Sequence, residues 1–316
     1  MKVAKKILLT GATGFVGSVL LNKIETSNLV ILGRNSPDNY DGIFHKFEMD
    51  GHSDLSTALD GIEVVVHCAA RAHIMNDNAL DPLAEFRKVN VEGTLNLARQ
   101  AAAAGVIRFI YISSVKVCGE STSDSRPFFE DDVAPSDPYG VSKMEAEHAL
   151  QKLALEIDIE VVIIRPPLVY GAGVKANFFN LLKLSDTKFP LPFACVNNKR
   201  SMVYVENLVD FIIRCIDHPK AANQTFLVSD GEDLSLKSLI TYIRKAMGRS
   251  AWLLPVPVGL FKMVGKLTKK SDVADRLVGD LQIDSSKANE LLEWVAPYSV
   301  EQGIAETVSD FINRKV

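Results

Sequence analysis

The chain is poor in the residues that build metal sites and disulfide frameworks. Its 316 residues include four cysteines and six histidines. No two cysteines form a CxxC pair, and the histidines show no HxxxH or HExxH pattern, so the ligand spacing typical of zinc sites is missing. We therefore predict that the protein has no metal site and that most of its cysteines are reduced core thiols.

The sequence also has no basic excess and no long apolar run. The formal net charge is −4, so there is no positive field that would attract nucleic acid. No uninterrupted apolar run approaches the ~20 residues that a membrane-spanning helix needs, and residues 7–10 are too few for the apolar core of a signal peptide. These absences predict a cytoplasmic protein with no nucleic-acid partner and no integral membrane segment.

One apolar segment, residues 252–267, needs a separate interpretation. Pro255, Pro257 and Lys262 interrupt it, so its apolar residues recur only at intervals. Such a segment is compatible with contact to a membrane surface, but a helix that packs against a domain is the simpler interpretation. We expect the domain-packing helix.

Short apolar runs alternate with helical patterns in the first half of the chain. Continuous apolar runs of this length are typical of strands that are buried on both faces. The predicted strands are residues 7–10, 30–33, 64–68, 109–113 and 161–165, and the predicted helices are residues 15–26, 82–104 and 139–156. Strands and helices in alternation predict an α/β protein with a Rossmann-type, doubly wound parallel sheet.

The alternation becomes less regular after Arg165-Pro166-Pro167. We expect a helix at 203–217 and a strand at 225–228 to return to the main sheet. Residues 1–166, joined by 203–229, are therefore predicted to form a dinucleotide-binding domain. Residues 167–316 would mainly form a smaller, partly interrupted α/β substrate domain, with the ligand cleft between the two.

A glycine-rich loop follows the first predicted strand. Residues 7–17 read ILLTGATGFVG, in which glycines recur at every third position after Thr10. In a loop between strand and helix, the first glycine permits a tight turn, the second lets the backbone approach a pyrophosphate, and the third allows close helix packing. The predicted cofactor-binding residues of this loop are Gly11, Thr13, Gly14, Phe15, Val16 and Gly17.

The end of the second strand bears on the choice of cofactor. The residues there are Gly33-Arg34-Asn35, with no carboxylate for the ribose 2′-hydroxyl of NAD. An arginine accommodates the 2′-phosphate of NADP, so Arg34 favours NADP(H) over the alternative, NAD(H). Arg34 as an ordinary surface residue remains open. Asp50 is predicted to contact the adenine amino group, or else to cap the helix that begins near Asp54.

Tyr139 and Lys143 form the predicted catalytic pair. Pro138 suits the first turn of a helix, and the spacing of four residues places the tyrosine and the lysine on one helix face. A phenol with a pKa of ~10 is a poor acid–base group at neutral pH, and a nearby ammonium lowers that pKa. Both residues are also predicted to contact the cofactor, since the lysine can bind the nicotinamide ribose.

Two serines end the strand that precedes this helix. Ser113 and Ser114 stand at the edge where a parallel sheet presents its ligands. A hydroxyl there can hydrogen-bond a substrate carbonyl or alkoxide, although either serine can also simply terminate the strand.

Together these motifs resemble the extended short-chain dehydrogenase/reductases of the NAD-dependent epimerase/dehydratase family. The resemblance rests on the glycine loop, HCAA at 67–70, VNVEGT at 89–94, the serines and YGVSK at 139–143, and it covers nearly the whole chain. It implies that Ala69 and Ala70 line the cofactor and that Asn90 is structural, with hydrogen bonds across the sheet. It also implies that Ser114 polarises the substrate.

The second half resembles the nucleotide-sugar branch of that family. Asn177 follows Tyr170-Gly171 where the family holds the diphosphate and the sugar. Arg200 begins an RxxxxV segment in which the family's arginine grips the diphosphate, and Arg276 is a second candidate for this contact. The guanidinium fork suits phosphate oxygens. The resemblance therefore implies a nucleotide-sugar substrate, with UDP as the nucleotide, and leaves a homodimer open.

Departures from the family pattern narrow the reaction. Dehydratases carry an Asp-Glu pair where this chain has Val115 and Lys116, and many 4-epimerases have a tyrosine where Cys118 stands. Our leading hypothesis is a 4-keto-sugar reductase, supported by Arg34. The alternative is an NAD-dependent 4-epimerase of the UDP-glucose 4-epimerase type, and a non-catalytic cofactor sensor is the third reading, disfavoured by the intact catalytic residues.

Overall fold

A seven-stranded parallel sheet forms the centre of the protein. The computed structural model describes residues 5–72, 81–123, 126–268 and 271–314, without the side chains of 272–274. The strands are β1 (Ile7–Thr10), β2 (Leu29–Gly33), β3 (Ile43–Lys46), β4 (Val64–His67), β5 (Arg108–Ile112), β6 (Glu160–Arg165) and β9 (Thr225–Leu227). Their order across the sheet is β3-β2-β1-β4-β5-β6-β9. The doubly wound parallel sheet that the sequence predicts is confirmed.

Helices cover both faces of this sheet. Leu20, Leu208 and Leu292 belong to a buried cluster on one face, whereas Leu97 and Leu150 belong to the cluster on the other. The helices of this part are α1 (Phe15–Leu21), α2 (Ser56–Leu59), α3 (Pro82–Arg87), α4 (Thr94–Ala103), α5 (Pro138–Glu156), α7 (Val205–Asp217) and α11 (Ser286–Leu292). None of the helices in the described ranges combines the length and the apolar content that a bilayer crossing needs.

A smaller group of elements lies beyond the main sheet. Strands β7 (Leu168–Tyr170) and β8 (Met202–Tyr204) pair in parallel as a separate two-stranded sheet. The remaining helices of the described residues are α6 (Ala176–Ser185), α8 (Leu236–Ala246), α9 (Val258–Leu267), α10 (Ser271–Val278) and α12 (Val300–Asn313). Because β9 pairs with β6, the chain returns to the main sheet as expected. The boundaries of the substrate domain remain a prediction.

The main differences from the sequence prediction are a missed strand, a divided helix and two shifted helix ends. Strand β3 was not predicted, because its four residues are exposed or half-buried and lack the apolar pattern of a central strand. The helix expected at 82–104 is divided by a π-helical turn, Lys88–Gly93, and the first helix ends at Leu21. The first two residues of the helix predicted at 203–217 belong to β8, since they pair with β7.

A buried ion pair fixes α5 against the sheet. Arg165, at the end of β6, donates to both carboxylate oxygens of Glu147 on α5, with nitrogen–oxygen distances of 2.6–3.1 Å. Ser113, just after β5, donates its hydroxyl proton to the same carboxylate. The two charged side chains are 4% and 1% exposed, so their charges are compensated almost entirely by one another and by protein hydrogen bonds.

Removing the arginine of this pair should destabilise the fold strongly. Arg165→Met leaves Glu147 as a buried carboxylate without its charged partner, which should lower the free energy of unfolding by about 3–5 kcal/mol. Urea unfolding followed by circular dichroism measures the loss. Arg87→Met is the matched control, because Arg87 pairs with Glu145 on the same helix at an exposed site and should cost about 1 kcal/mol or less. Similar small losses in both variants would contradict this account.

Candidate active site

The glycine loop sits tightly against the chain that leaves β4. Gly11 has a φ of +72°, and a Cβ at this position would lie 2.7 Å from the backbone nitrogen of Ala69. A Cβ on Gly17 would lie only 2.1 Å from the carbonyl oxygen of Gly11. The first glycine therefore permits the turn, as predicted. The third allows α1 to approach its own loop, rather than the sheet as the motif suggested.

The tip of the loop is accessible. Thr13 and Gly14 are exposed, and Phe15 and Val16 are half-buried at the start of α1. Gly14 is the N-cap residue of α1 and provides no side-chain hydrogen bond to the first turn. The N–H groups of that turn are thus available to an anionic group, which is the chemistry that a pyrophosphate needs.

A buried polar relay joins β1 to β4 beneath this loop. The Thr10 hydroxyl oxygen accepts from the Ala69 N–H at 3.1 Å and lies 2.7 Å from Nδ1 of His67. Nε2 of His67 lies 3.0 Å from the Thr94 hydroxyl. Burial, reinforced by the charge of Lys143, lowers the pKa of His67 to about 3, so the ring is neutral. A neutral ring carries a single N–H, so His67 donates to one of these two threonine hydroxyls and accepts from the other.

Sequence reasoning missed this relay. His67 entered only as part of the HCAA motif, and Thr10 and Thr94 carried no assigned role. The signal that was available is the sequence position: Thr10 and His67 both end buried strands that a Rossmann-type sheet places side by side, and the register pairs them.

Two polar side chains, Asn90 and Ser142, hold the main chain of Tyr139 in place. Asn90 accepts from the Arg71 N–H at 2.8 Å and donates to the Ser142 hydroxyl at 2.9 Å, and Ser142 donates to the carbonyl of Tyr139 at 2.8 Å. Asn90 therefore links the loop after β4 to α5. It does not bond across the sheet as expected, because the π-helical turn that carries it faces α5.

Lys143 is buried beside Tyr139. Its Nζ donates to the Ile112 carbonyl at 2.8 Å, lies 4.4 Å from the centre of the Tyr111 ring, and lies 6.0 Å from the centre of the Tyr139 ring. Burial lowers the pKa of Lys143 to about 8, although the Glu147 carboxylate opposes this shift. Tyr139 and Lys143 thus share one helix face, as predicted.

The effect on the phenol differs from the expectation. Burial, with the nearby Asp137 carboxylate, raises the pKa of Tyr139 above its ordinary value, and a hydrogen bond with Ser114 only partly opposes this. The Lys143 ammonium lies too far from the phenol to outweigh desolvation in the protein alone.

The two serines have different surroundings. Ser113 is buried and bonded to Glu147, which makes it part of the fold. Ser114 is half-buried, accepts from the Lys116 N–H at 3.2 Å and hydrogen-bonds with Tyr139. The structure therefore brings Ser114, and not Ser113, to the phenol. The residues alone left this choice open, whereas the family resemblance implied Ser114.

The residues that replace the dehydratase acid–base pair are not placed for proton transfer. Val115 is buried and carries no titratable group. Lys116 forms ion pairs with Asp137, the N-cap residue of α5, and with Glu120 at 2.9 Å. Its ammonium is thus neutralised locally.

The predicted diphosphate-binding arginines lie together, but Asn177 does not join them. Arg200 donates to the carbonyls of Arg276 and Gly279 at 3.0 and 3.2 Å, and burial lowers the pKa of its guanidinium. Arg276 also pairs with Glu120 at 3.2 Å. Asn177 is exposed on α6, and no contact among the described residues connects it to either arginine.

Arg34 and Asp50 lie beyond the carboxyl ends of the neighbouring strands β2 and β3. Arg34 is exposed directly after β2, and a Cβ on the preceding Gly33 would have no closer neighbour than 3.9 Å. Asp50 accepts from the N–H groups of His52 and Ser53 at 2.9 and 2.8 Å, and these bonds lower its pKa. Asp50 thus closes a turn before α2. Its predicted contact with adenine remains a prediction.

The comparison with protein families decides the classification. The profile of the "NAD dependent epimerase/dehydratase family" matches residues 7–229. The chain belongs to this family. A curated "UDP-glucose 4-epimerase" of Vibrio cholerae is 48% identical over 98% of this chain and 97% of its own length. An "N-acetyl-alpha-D-glucosaminyl-diphospho-ditrans,octacis-undecaprenol 4-epimerase" of Escherichia coli O157:H7 is 30% identical over 98% of this chain and 96% of its own length.

Solved structures share the fold. A UDP-glucuronic acid 4-epimerase from Bacillus cereus in complex with NAD superposes with a TM-score of 0.77 at 22% identity, over 98% of this chain and 99% of that one. A UDP-glucose 4-epimerase with UDP-glucose from Thermotoga maritima gives 0.77 at 23% identity, with the same coverage. Because the superposition covers nearly all of both chains, the likeness extends to the smaller group of elements as well as to the main sheet.

Gly17→Ala should disturb the glycine loop. The added Cβ overlaps the Gly11 carbonyl, so the loop must move, which should lower the free energy of unfolding by about 1–3 kcal/mol. We also expect dinucleotide binding to weaken by about tenfold or more, because the loop N–H groups move with the backbone. Gly259→Ala is the control, since no atom lies within 4 Å of that Cβ and the change should be within about 1 kcal/mol. Urea unfolding and calorimetric dinucleotide titration measure both effects, and wild-type values for Gly17→Ala would contradict the role of the loop.

Proposed function

We propose that the protein inverts the configuration at C4 of a UDP-sugar of the UDP-glucose type, with NAD(H) as its bound cofactor. The observation that carries the proposal is the grouping of Tyr139, Ser114 and Lys143 at the carboxyl edge of the sheet. The 48% identity to the Vibrio cholerae UDP-glucose 4-epimerase, over nearly the full length of both chains, supports the same reaction.

The loop and its surroundings fit a dinucleotide. The close approach of Gly11 to Ala69, and the uncapped first turn of α1, leave backbone N–H groups for a pyrophosphate where any side chain at Gly11 would collide. We propose that Gly11, Gly14 and Ala69 hold the dinucleotide, with Ala70 beside them. The bound nicotinamide supplies a reversible acceptor for the hydrogen on C4 of the sugar.

The chain's own residues manage the proton on the 4-hydroxyl oxygen. We propose that Tyr139 takes this proton and returns it after the 4-keto sugar has rotated to present its other face. Ser114 hydrogen-bonds with the phenol and is placed to bind the same sugar oxygen. Lys143, fixed by the Ile112 carbonyl, keeps a positive charge on the side of Tyr139 below pH ~8, and we propose that this charge opposes the desolvation that raises the pKa of the phenol.

We place the nucleotide end of the substrate at Arg200 and Arg276. One guanidinium nitrogen of Arg200 is used by main-chain carbonyls, which orients the fork. Arg276 is half-exposed and pairs with Glu120, so phosphate oxygens compete with a carboxylate for it. We propose that the chain after residue 167, apart from 203–229, holds the nucleotide sugar, with Asn177 a weaker candidate because it lies apart from the arginines.

The relatives favour epimerisation over our leading sequence hypothesis of 4-keto reduction. That hypothesis rested on Arg34, which the structure leaves exposed. The family description names NAD, and the two curated relatives above are both called 4-epimerases. Val115 and the ion-paired Lys116 disfavour dehydration.

A second candidate is the same inversion on a sugar linked through a diphosphate to a polyprenol. The name of the Escherichia coli relative specifies such a substrate, and its identity to this chain is 30%. The observation that favours this candidate here is the row of exposed apolar residues along α9, in the same group of elements as Arg276.

Tyr139→Phe should abolish most of the interconversion of UDP-glucose and its 4-epimer. The loss of an acid–base group should lower kcat by about 10²–10⁴-fold, whereas cofactor and UDP affinity should stay close to wild type. Tyr242→Phe, a change at a half-buried tyrosine of α8, is the control and should retain full activity. Turnover of Tyr139→Phe within a few-fold of wild type would exclude Tyr139 as the group that moves the proton.

The cofactor is expected to remain with the purified protein as NAD(H). Denaturing the protein and separating the released nucleotides by chromatography should give NAD⁺ or NADH in near-stoichiometric amount. An empty site that binds NADPH about tenfold or more tightly than NADH would support the 2′-phosphate role of Arg34 and the reductase alternative. Arg34→Ala distinguishes a 2′-phosphate ligand from a surface residue. The variant should bind NAD(H) as the wild type does, and it should lose affinity for NADPH only if Arg34 holds the 2′-phosphate.

A further inference from the structure

Helix α9 is apolar on the side that faces the protein and on the side that faces away from it. Val258 and Phe261 pack against a buried cluster, where Phe261 stacks on Phe193 with ring centres 5.5 Å apart. The domain-packing role expected from the sequence is therefore met by this side alone. The opposite side requires another explanation.

The outward side carries four large apolar residues in a continuous row. Leu260, Met263, Val264 and Leu267 recur at the three- and four-residue spacing of one helix face, and their exposed fractions range from 44% for Leu260 to 76% for Leu267. Single exposed apolar residues are ordinary on protein surfaces, but a full helix face of them marks an interaction site.

Two lysines lie along one edge of this row. Lys262 and Lys266 are one helical turn apart and exposed, and no acidic side chain among the described residues pairs with either. The face therefore presents apolar side chains beside positive charge that no described carboxylate pairs with, although the protein as a whole has a net charge of −4. This combination complements a surface that is apolar below and anionic above.

We propose that the outward face of α9 docks on an anionic lipid surface. The four apolar side chains enter the boundary between headgroups and acyl chains, and the lysines contact lipid phosphates. Trp252 and Leu254, which precede the helix and are also exposed, extend the apolar content of this region, and tryptophan is favoured at membrane interfaces.

Docking would bring the proposed substrate cleft to the membrane. Helix α9 packs against α10, which carries Arg276, and the carbonyl of Arg276 binds Arg200. A sugar that is linked through a diphosphate to a membrane lipid would thus reach the two arginines while its lipid stays in the membrane. This consequence rests on the second candidate function, the lipid-linked substrate, whereas docking itself does not.

Flotation with lipid vesicles tests the proposal. The full chain should float with vesicles of phosphatidylglycerol and phosphatidylcholine, and it should stay in the bottom fraction with vesicles of phosphatidylcholine alone. Binding to the anionic vesicles should weaken as the salt concentration rises. Lys262→Glu with Lys266→Glu should weaken binding by about twentyfold or more, at roughly fivefold for each lysine. Leu260→Gln with Leu267→Gln should abolish flotation.

Matched controls separate docking from folding and from catalysis. Lys152→Glu with Leu155→Gln makes the same types of change on the exposed side of α5 and should not alter flotation. All variants should keep wild-type thermal midpoints and wild-type turnover of soluble UDP-glucose, so a failure of docking would leave the proposed reaction standing. No flotation of the wild type, or equal flotation of the α9 variants, would overturn the proposal. Self-association in sedimentation that is lost in Leu260→Gln with Leu267→Gln would instead assign the face to a second copy of the chain.

Discussion

The junction between β1 and β4 is the constraint on which the site depends. These strands are neighbours, yet the chain leaves β1 toward one side of the sheet and β4 toward the other. Their carboxyl ends therefore open a crevice, which is where ligands bind in sheets of this kind. The crevice is narrow because Gly11 approaches Ala69 so closely, and the neutral His67 ring bridges its floor through two threonine hydroxyls.

Helix α5 brings the proposed catalytic groups to that crevice because it is held near its start and at its middle. Near its start, Asn90 and Ser142 fix the carbonyl of Tyr139, and further along, Glu147 forms the buried pair with Arg165. Lys143 lies between these anchors. Buried polar groups of this kind cost free energy unless each is hydrogen-bonded, and here they fix the phenol, the ammonium and the strand ends relative to one another.

Much of the fold could be predicted from sequence because central parallel strands are buried on both faces and read as apolar runs. The edge strand β3 was not predicted because its residues are exposed or half-buried and form no apolar run. Gly11, Tyr139 and Lys143 could be selected from the sequence because their proposed roles depend on local spacing. The structural role of Ser113 could not be predicted, because it depends on Glu147, which is 34 residues away in sequence. The raised pKa of Tyr139 depends on burial, which local spacing does not encode.

The central claim is that the reaction begins and ends at C4 of a single sugar. The most direct measurement uses UDP-glucose that carries deuterium at C4, incubated with the purified protein and no added cofactor, with the products followed by nuclear magnetic resonance. The account predicts the 4-epimer with deuterium retained at C4 and no lasting change in nicotinamide absorbance. Failure to convert UDP-glucose, together with stoichiometric oxidation of added NADPH by a UDP-4-keto sugar, would contradict it.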